Sequence, residues 1–427
     1  MSKKAKIKRP NPFVWILMII FLVSVSIFRR KVKITYKTET GEILKERKAR
    51  KKLKELKAPF VLLGNHHSMY DYIFPMRAMF PRRINYMVAR KHVVASPYRF
   101  FLKHCYTIPK SLFQTDIPAL RGAFDVISQK GILAIYPEGQ ILVHGISKEL
   151  PEQVSKLLKK LKVPVLVQRT SGAYFVDSTW RKNLPKGIVE AEFSLALTPE
   201  QLAEYPLEKI DEIVAKSLYV DNFKWQEKTG NLYKGKNRAA GLENILYICP
   251  CCKKEFSLQT KDDMIICKNC GLEVRYNEAC HLDWKGEKYF SHIGEWYNYQ
   301  RDVEFENHKK GDFKIDFPVE LRLLAEKNTV IKGSNDFEIR KTKRIEKAGE
   351  GILSLRNDKY FYTGMIFGKE AEINFNPKSV QFLPYTPGDN FQIYLQDVMF
   401  AFHPKEPKIC SKIALSIESY YEYLQQK

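Results

Sequence analysis

The run Gly64-Asn65-His66-His67-Ser68-Met69-Tyr70-Asp71 closes an apolar segment and sets a histidine and an aspartate apart with four residues between them. A histidine side chain titrates near pH ~6.5, so at neutral pH it can take a proton from a reacting hydroxyl. A carboxylate bonded to the far ring nitrogen fixes which nitrogen keeps its lone pair. On a straight helix five positions correspond to about 140°, so His66 and Asp71 would not share a face. The spacing therefore predicts a strand ending at Gly64, a turn through Asn65 to His67, and a helix starting near Ser68 with Asp71 in its first turn. Ser68-Met69-Tyr70-Asp71 also reads as a capping-box-like start, in which Asp71 would simply favour a helix N-terminus. His67 competes with His66 as the base, at a shorter spacing from Asp71. A second apolar run ends in Tyr136-Pro137-Glu138-Gly139, where Pro-Glu-Gly is also a good turn.

The elements that must position these residues are short apolar runs alternating with helical stretches from Ala58 to about Tyr219. Phe60 to Leu63, Ile132 to Tyr136 and Val163 to Val167 read as strands buried on both faces. Asp116 to Gln129, Gln153 to Leu161 and Leu207 to Leu218 read as helices. Such alternation predicts an α/β layer fold with a largely parallel sheet. In that architecture ligands gather beyond the carboxyl ends of the strands, where both His66 and Glu138 fall. Lys224 to Arg238 is polar and basic and reads as a linker.

Cys249-Pro250-Cys251-Cys252 and Cys267-Lys268-Asn269-Cys270-Gly271 form two Cys-x-x-Cys pairs. Cys249, Cys252, Cys267 and Cys270 are expected to hold one structural Zn²⁺ as a zinc ribbon, four thiolates leaving no open position for catalysis. Cys251 could replace a neighbour only by breaking the pair spacing, and Cys280-His281 is a spare pair that the site does not need. Thiolates of this kind imply a reducing compartment. After Tyr289 the sequence turns to alternating β-formers with Asn and Gly turns, and ends in a helical stretch from Ser411 to Leu424. This predicts a small β-rich domain, weakly resembling the pleckstrin-homology or GRAM type.

The chain has 427 residues, 44% of them apolar, and a formal net charge of +23. The composition excludes global disorder. The first 60 residues hold 18 Lys and Arg against 4 Glu, so much of the excess charge sits at one end. Phe13 to Phe28 carries no charge and has basic clusters on both sides: Lys3, Lys4, Lys6, Lys8 and Arg9, then Arg29, Arg30, Lys31 and Lys33. It reads as an uncleaved membrane anchor that crosses or dips into one leaflet. Gly41 to Lys57 reads as a basic amphipathic helix, either at a membrane surface or solvated.

The His66/Asp71 and Glu138-Gly139 motifs, in that order, resemble two sequence blocks of the glycerolipid (lysophospholipid) acyltransferase family over roughly Ala58 to Val220. The resemblance implies an enzyme in phospholipid biosynthesis. A fatty acyl group would move from acyl-CoA or acyl carrier protein to a lysophospholipid, by default 1-acylglycerol 3-phosphate, giving phosphatidic acid. It implies His66 as general base, Asp71 as its partner, and Glu138 and Gly139 near the acceptor. Lys110 stands where the family's second block ends in arginine, and would meet an acceptor phosphate. Gln140, Ile141 and Leu142 depart from the family's usual threonine-arginine-serine continuation, so the phosphate-binding arginine is missing. Arg121, Arg90 or Lys91 are candidates to compensate.

The expected organisation is a basic N-terminus and anchor at 1–35, an acyltransferase domain at 36–240, the ribbon at 241–280 and the β-rich domain at 281–427. The partners expected are a lysophospholipid, the acyl donor and an anionic membrane surface, with the catalytic domain facing the cytosol. Nucleic acid is not expected, because the basic charge clusters beside the anchor, whereas Asp262, Asp263 and Glu273 dilute it near the cysteines. A zinc-ribbon nucleic-acid binder and an inactive scaffold of acyltransferase fold are the rival readings.

Overall fold

The computed structural model describes residues 7–426, apart from 28–29, 96–97, 112–115, 149, 151–152, 312 and 332–335. The chain divides into two units. The first is Met1–Ser178, Leu184–Gly235 and Glu278–Cys280, and the second is Thr179–Asn183, Lys236–Asn277 and His281–Lys427.

The first unit runs α1 (Pro12–Ile27), β1 (Arg30–Lys37), β2 (Ile43–Lys45), α2 (Glu46–Glu55), β3 (Phe60–Gly64), α3 (Ile73–Met79) and β4 (Ile84–Ala89). It continues with α4 (Arg90–Ala95), α5 (Arg99–His104), β5 (Ile108–Lys110), α6 (Ile117–Ser128), β6 (Ile132–Ile135), α7 (Gln153–Leu161) and β7 (Val165–Ser171). It closes with α8 (Ala173–Asp177), β8 (Gly187–Leu197), α9 (Pro199–Glu204), α10 (Leu207–Leu218) and α11 (Asn222–Thr229). The sheet order is β2-β1-β8-β7-β3-β6-β4-β5. β7, β3, β6, β4 and β5 are mutually parallel, β8 runs against β7, and β1 runs with β8. The sheet is thus the expected α/β layer, parallel at its centre and reversed on one flank. Val61, Leu63, Leu133, Val165 and Val167 are buried, because helices cover the central strands. Asp116 caps α6 by accepting from Ala119 N at 2.9 Å.

The reversal has a geometric result. Because β8 and β1 oppose the central strands, the first residue of β1 lies on the same sheet edge as the carboxyl ends of β3, β6, β4 and β5. Arg30, paired with Gly187, is that residue. It is buried, although its sequence setting is the basic cluster that follows the apolar segment.

Several local expectations are corrected. The regular helix after the histidines starts at Ile73, not near Ser68, so Asp71 precedes it. Ile43–Lys45 is a strand rather than part of the basic helix, and α2 turns Ala49 and Leu53 into its own domain. The span read as a linker begins inside α11, which Asp221 caps, and Tyr233 beyond it is fully buried. No helix among the described residues is long and apolar enough to cross a membrane. Instead α1 turns Trp15 and Leu22 inward and leaves Phe13, Leu17, Ile20 and Phe21 exposed. Lys3, Lys4, Lys6 and Arg29 lie outside the described residues, whereas Arg9 binds the Gln129 carbonyl at 2.6 Å.

The second unit contains the β-rich region together with the cysteine segment. Its strands β9 (Leu258–Lys261), β10 (Met264–Cys267), β11 (Glu273–Tyr276) and β12 (Leu282–Trp284) form an antiparallel meander, followed by helix α12 (Ile293–Lys309), which the sequence reading missed. Next come β13 (Lys314–Ala325), β14 (Thr329–Ile331), β15 (Phe337–Ile339), β16 (Glu346–Arg356), β17 (Tyr360–Ile366) and β18 (Lys369–Phe375). β19 (Tyr385–Thr386), β20 (Asn390–Leu395), β21 (Val398–Pro404) and helix α13 (Ile409–Gln425) complete the unit. Its large antiparallel sheet has the order β18-β17-β16-β13-β21-β20-β19. Phe400, Phe402, Leu321 and Tyr362 from this sheet share a core with Ile413 and Ile417 of α13.

Candidate active site and metal centre

Past Gly64, side-chain hydrogen bonds carry on where the strand stops. Asn65 donates through Nδ2 to the Thr170 carbonyl at 2.9 Å and accepts from Thr170 N at 2.7 Å. Gln168 donates to the Asp71 carbonyl at 3.1 Å. The loop is therefore pinned at both ends to β7. Between those pins Asp71 folds back. Its Oδ2 lies 3.1 Å from His66 Nδ1 and accepts from the backbone N–H of His67 at 2.7 Å and of Ser68 at 2.8 Å. Two backbone donors demand an acceptor at that oxygen, so Nδ1 of His66 carries the ring proton and Nε2 keeps its lone pair. Burial pushes the Asp71 carboxyl above its usual range, and the His66 ring and the two N–H groups pull it back. His66 Nε2 has no hydrogen bond among the described residues, and the side chain is 23% exposed. This loop closure displaces the helix start to Ile73, because Asp71 caps its own preceding turn.

His67 has a different fate. Asn222 Oδ1 accepts from Gly172 N at 2.8 Å, which orients the amide so that Nδ2 donates both to the Gly145 carbonyl and to His67 Nδ1, each at 2.8 Å. His67 Nε2 then meets Ser147 Oγ at 3.2 Å. Burial, with His66 adding to it, pushes His67 down to about 3, so it stays neutral. With both ring nitrogens engaged and no exposure, His67 is a framework residue, and the geometry favours His66 as the open base.

Glu138 follows β6 on the neighbouring strand. Gly139 makes the turn with φ of 72° and donates its N–H to the Tyr136 carbonyl at 3.3 Å. Leu142 N donates to the His66 carbonyl at 2.9 Å, tying this turn to the histidine loop. Among the described residues neither buried Glu138 oxygen has a hydrogen-bond partner, and His67 Nε2, 3.8 Å away, belongs to a neutral ring. Burial pushes this carboxyl up to about 8, with the His66 backbone opposing it. At neutral pH it is a protonated acid beside the His66 loop. Tyr136 packs its ring 5.2 Å from that of His66. Glycine at Gly64 leaves room for its neighbour: a Cβ there would sit 2.4 Å from the Tyr136 ring.

Lys110 ends β5 and pairs in register with Ala89 at the end of β4, next to Arg90. Its ammonium donates to the Ser111 carbonyl at 2.7 Å, and burial lowers its pKa, opposed by Asp116. Arg90 binds Asp116 at 2.7 Å and Ser111 Oγ at 3.1 Å. Lys91 is pushed down to about 8 by burial. Lys110, Arg90 and Lys91 thus lie at or just past the ends of β4 and β5, one and two strands over from β6, which Glu138 follows. Arg121 is exposed in α6 and does not join them on the strand ends.

In the second unit the four expected thiols converge. Their Sγ atoms all lie within 4.8 Å of one another, with Cys249 and Cys270 3.7 Å apart and Cys252 and Cys267 3.8 Å apart. A tetrahedral Zn–S bond of about 2.3 Å requires sulfurs about 3.8 Å apart, so the set fits zinc. Gly271 makes the turn after the last ligand with φ of 73°. Cys251, Cys280 and His281 are not in the cluster. Gln300 of α12 accepts from Tyr247 N at 2.6 Å and Ile248 N at 3.0 Å, bracing the segment that leads into the first knuckle.

Residues 39–166 match the acyltransferase family model. Residues 242–278 match a zinc-ribbon model described as the 7 kDa subunit of DNA-directed RNA polymerase. Among solved structures the chain is similar to the 1-acyl-sn-glycerophosphate acyltransferase of Thermotoga maritima, at 15% identity and a TM-score of 0.40, over 51% of this chain and 80% of that one. No curated protein matches the chain. His66, Asp71 and Glu138 all lie inside the span of the first unit that matches the acyltransferase model. The second unit carries a four-cysteine zinc-ribbon segment joined to an antiparallel β-rich region.

Arg30, Asp177 and Asn222 were not foreseen near this loop: only the topology brings them there, and no local spacing in the sequence marks them. Ser68 and Tyr136 lie inside the two motif runs, but their contacts with Asp177 and the His66 ring were not foreseen.

Proposed function

We propose that the chain is a membrane-associated O-acyltransferase of phospholipid biosynthesis. It moves a fatty acyl group from acyl-CoA or acyl carrier protein to a lysophospholipid, by default 1-acylglycerol 3-phosphate. The observation that carries this reading is the His66 ring, held through Nδ1 by buried Asp71 with Nε2 open. Nε2 takes the acceptor hydroxyl proton as the oxygen attacks the thioester carbonyl. Collapse of the tetrahedral intermediate breaks the C–S bond, and the imidazolium returns its proton to the departing thiolate. No enzyme nucleophile is needed, since the thioester is already activated. Glu138, Gly139 and Lys110 seat the acceptor, and the cations beyond β4 and β5 suit an anionic head group.

Membrane association is supported by α1. Phe13, Leu17, Ile20 and Phe21 form one helical stripe toward solvent, while Trp15 and Leu22 pack inward. A helix seated this way lies in one leaflet rather than crossing it. The thiol cluster implies the reducing, cytosolic side.

The test is a panel of lyso-lipid acceptors with one acyl-CoA in mixed micelles, comparing wild type with His66→Ala. Acylation of a lysophospholipid that disappears in the variant, with folding and zinc content retained, is expected. Turnover unchanged by His66→Ala would remove the proposed base.

A further inference from the structure

Arg30 and Asp177 are buried partners, each side chain only 2% exposed, and they join the first residue of β1 to the last residue of α8. The same Asp177 accepts a hydrogen bond from Ser68 Oγ at 3.2 Å. Ser68 Oγ in turn accepts from Tyr70 N at 3.0 Å, and Ser68 N donates to Asp71 Oδ2 at 2.8 Å. The Arg30 guanidinium also lies over the Tyr70 ring, 4.3 Å from its centre. The contacts form an unbroken line: Arg30, Asp177, Ser68, Asp71, His66.

We infer that Arg30, through Asp177 and Ser68, is a positioning residue for the His66–Asp71 pair, so that the start of β1 sets the angle of the base. The inference rests on the reading of His66 as base. An ion pair this deeply buried is an expensive way to gain stability, since a well-packed apolar pair can do as well. Its geometric effect is specific, however. It fixes the Ser68 hydroxyl, and that hydroxyl fixes the turn that presents Asp71. Arg30 follows α1 closely in the chain, so the segment that seats the apolar helix also braces the catalytic loop.

Two variants test this in the full chain, with 1-acylglycerol 3-phosphate and oleoyl-CoA as the probe substrates. Ser68→Ala cuts the line while leaving the ion pair whole. Arg30→Met/Asp177→Leu removes both charges together, so that neither is left buried alone. Each is expected to lower kcat by about ten- to a hundredfold with the KM of both substrates nearly unchanged. The acidic limb of the kcat profile is expected to move to lower pH, because a loosened carboxylate stabilises the imidazolium less. Wild-type kcat and an unmoved limb in folded Ser68→Ala overturn the inference. If the double variant does not fold, Ser68→Ala decides alone. His66→Ala run in parallel separates the two ideas. Activity that survives in His66→Ala sinks the base assignment, whereas activity lost there but intact in Ser68→Ala sinks only the positioning role.

Discussion

The His66–Asp71 loop of the first unit and the cysteine cluster of the second are both built by gathering polar atoms out of solvent, yet they end in opposite states. Around His66 the gathering is left incomplete. Among the described residues Nε2 is open, Asp71 Oδ1 is buried without a partner, and neither Glu138 oxygen is paired. Around the cysteines the set closes, four sulfurs at the spacing one tetrahedral ion requires. Unpaired buried polar atoms cost stability, and several of them meet around this one loop, although others, such as the Tyr360 hydroxyl, lie far from it in the sequence. A saturated set stabilises and does little else.

If that contrast is right, the largest effect belongs to metal removal. Chelation is expected to unfold the second unit, with an apparent loss of about 10 kcal/mol, read as loss of its cooperative melting transition. Acyl transfer that outlasts this transition would sharpen the division between the units, and a metal-free second unit with an unchanged melt would break it. Next comes the base. His66→Ala should lower kcat by about a hundred- to ten-thousandfold with little change in melting temperature. His67→Gln should do the reverse, lowering stability more than rate, because His67 spends both nitrogens on Asn222 and Ser147.

Glu138 gives a smaller, pH-dependent effect. Its carboxyl is raised to about 8 from an unfolded value of 4.5, so the unfolded chain releases this proton first. The cost of burying it therefore grows from about pH 4.5 up to about pH 8, at ~1.4 kcal/mol per pKa unit. Glu138→Gln should accordingly raise the melting temperature relative to wild type at pH 8 and much less at pH 5. A gain equal at both pH values would show that the carboxyl is not held neutral. The smallest effect expected is that of Gly64→Ala, about 1–3 kcal/mol of destabilisation from crowding the Tyr136 ring, measured by denaturant unfolding.

Much of the first unit was legible in the sequence because buried parallel strands read as unbroken apolar runs. Phe60 to Leu63, Ile132 to Tyr136 and the helices over 117–128, 153–161 and 207–218 all lie where their patterning puts them. The start of α3 was misplaced because Asp71 prefers three donors in a loop to a place in a helix, a choice local propensity does not express. Arg30 looked like part of a basic flank, and nothing in its neighbours announces Asp177, which lies 147 residues further on. Asn222, 155 residues from His67, was hidden in the same way just ahead of a span that reads as a linker. The cysteine cluster was the easiest part, since its ligand types and spacing constrain one ion whatever the surrounding fold.

The reversed flank of the sheet has a practical consequence for anyone handling the protein. Although β1 begins at the rim that carries His66 and Glu138, the described residues ahead of Pro12 are held at the opposite one. Arg9 binds the carbonyls of Gln129 and Lys130, just before β6, and Arg83, just before β4, donates to the Pro10 carbonyl. An affinity tag or fluorescent fusion placed ahead of Pro12 would stand clear of the histidine loop.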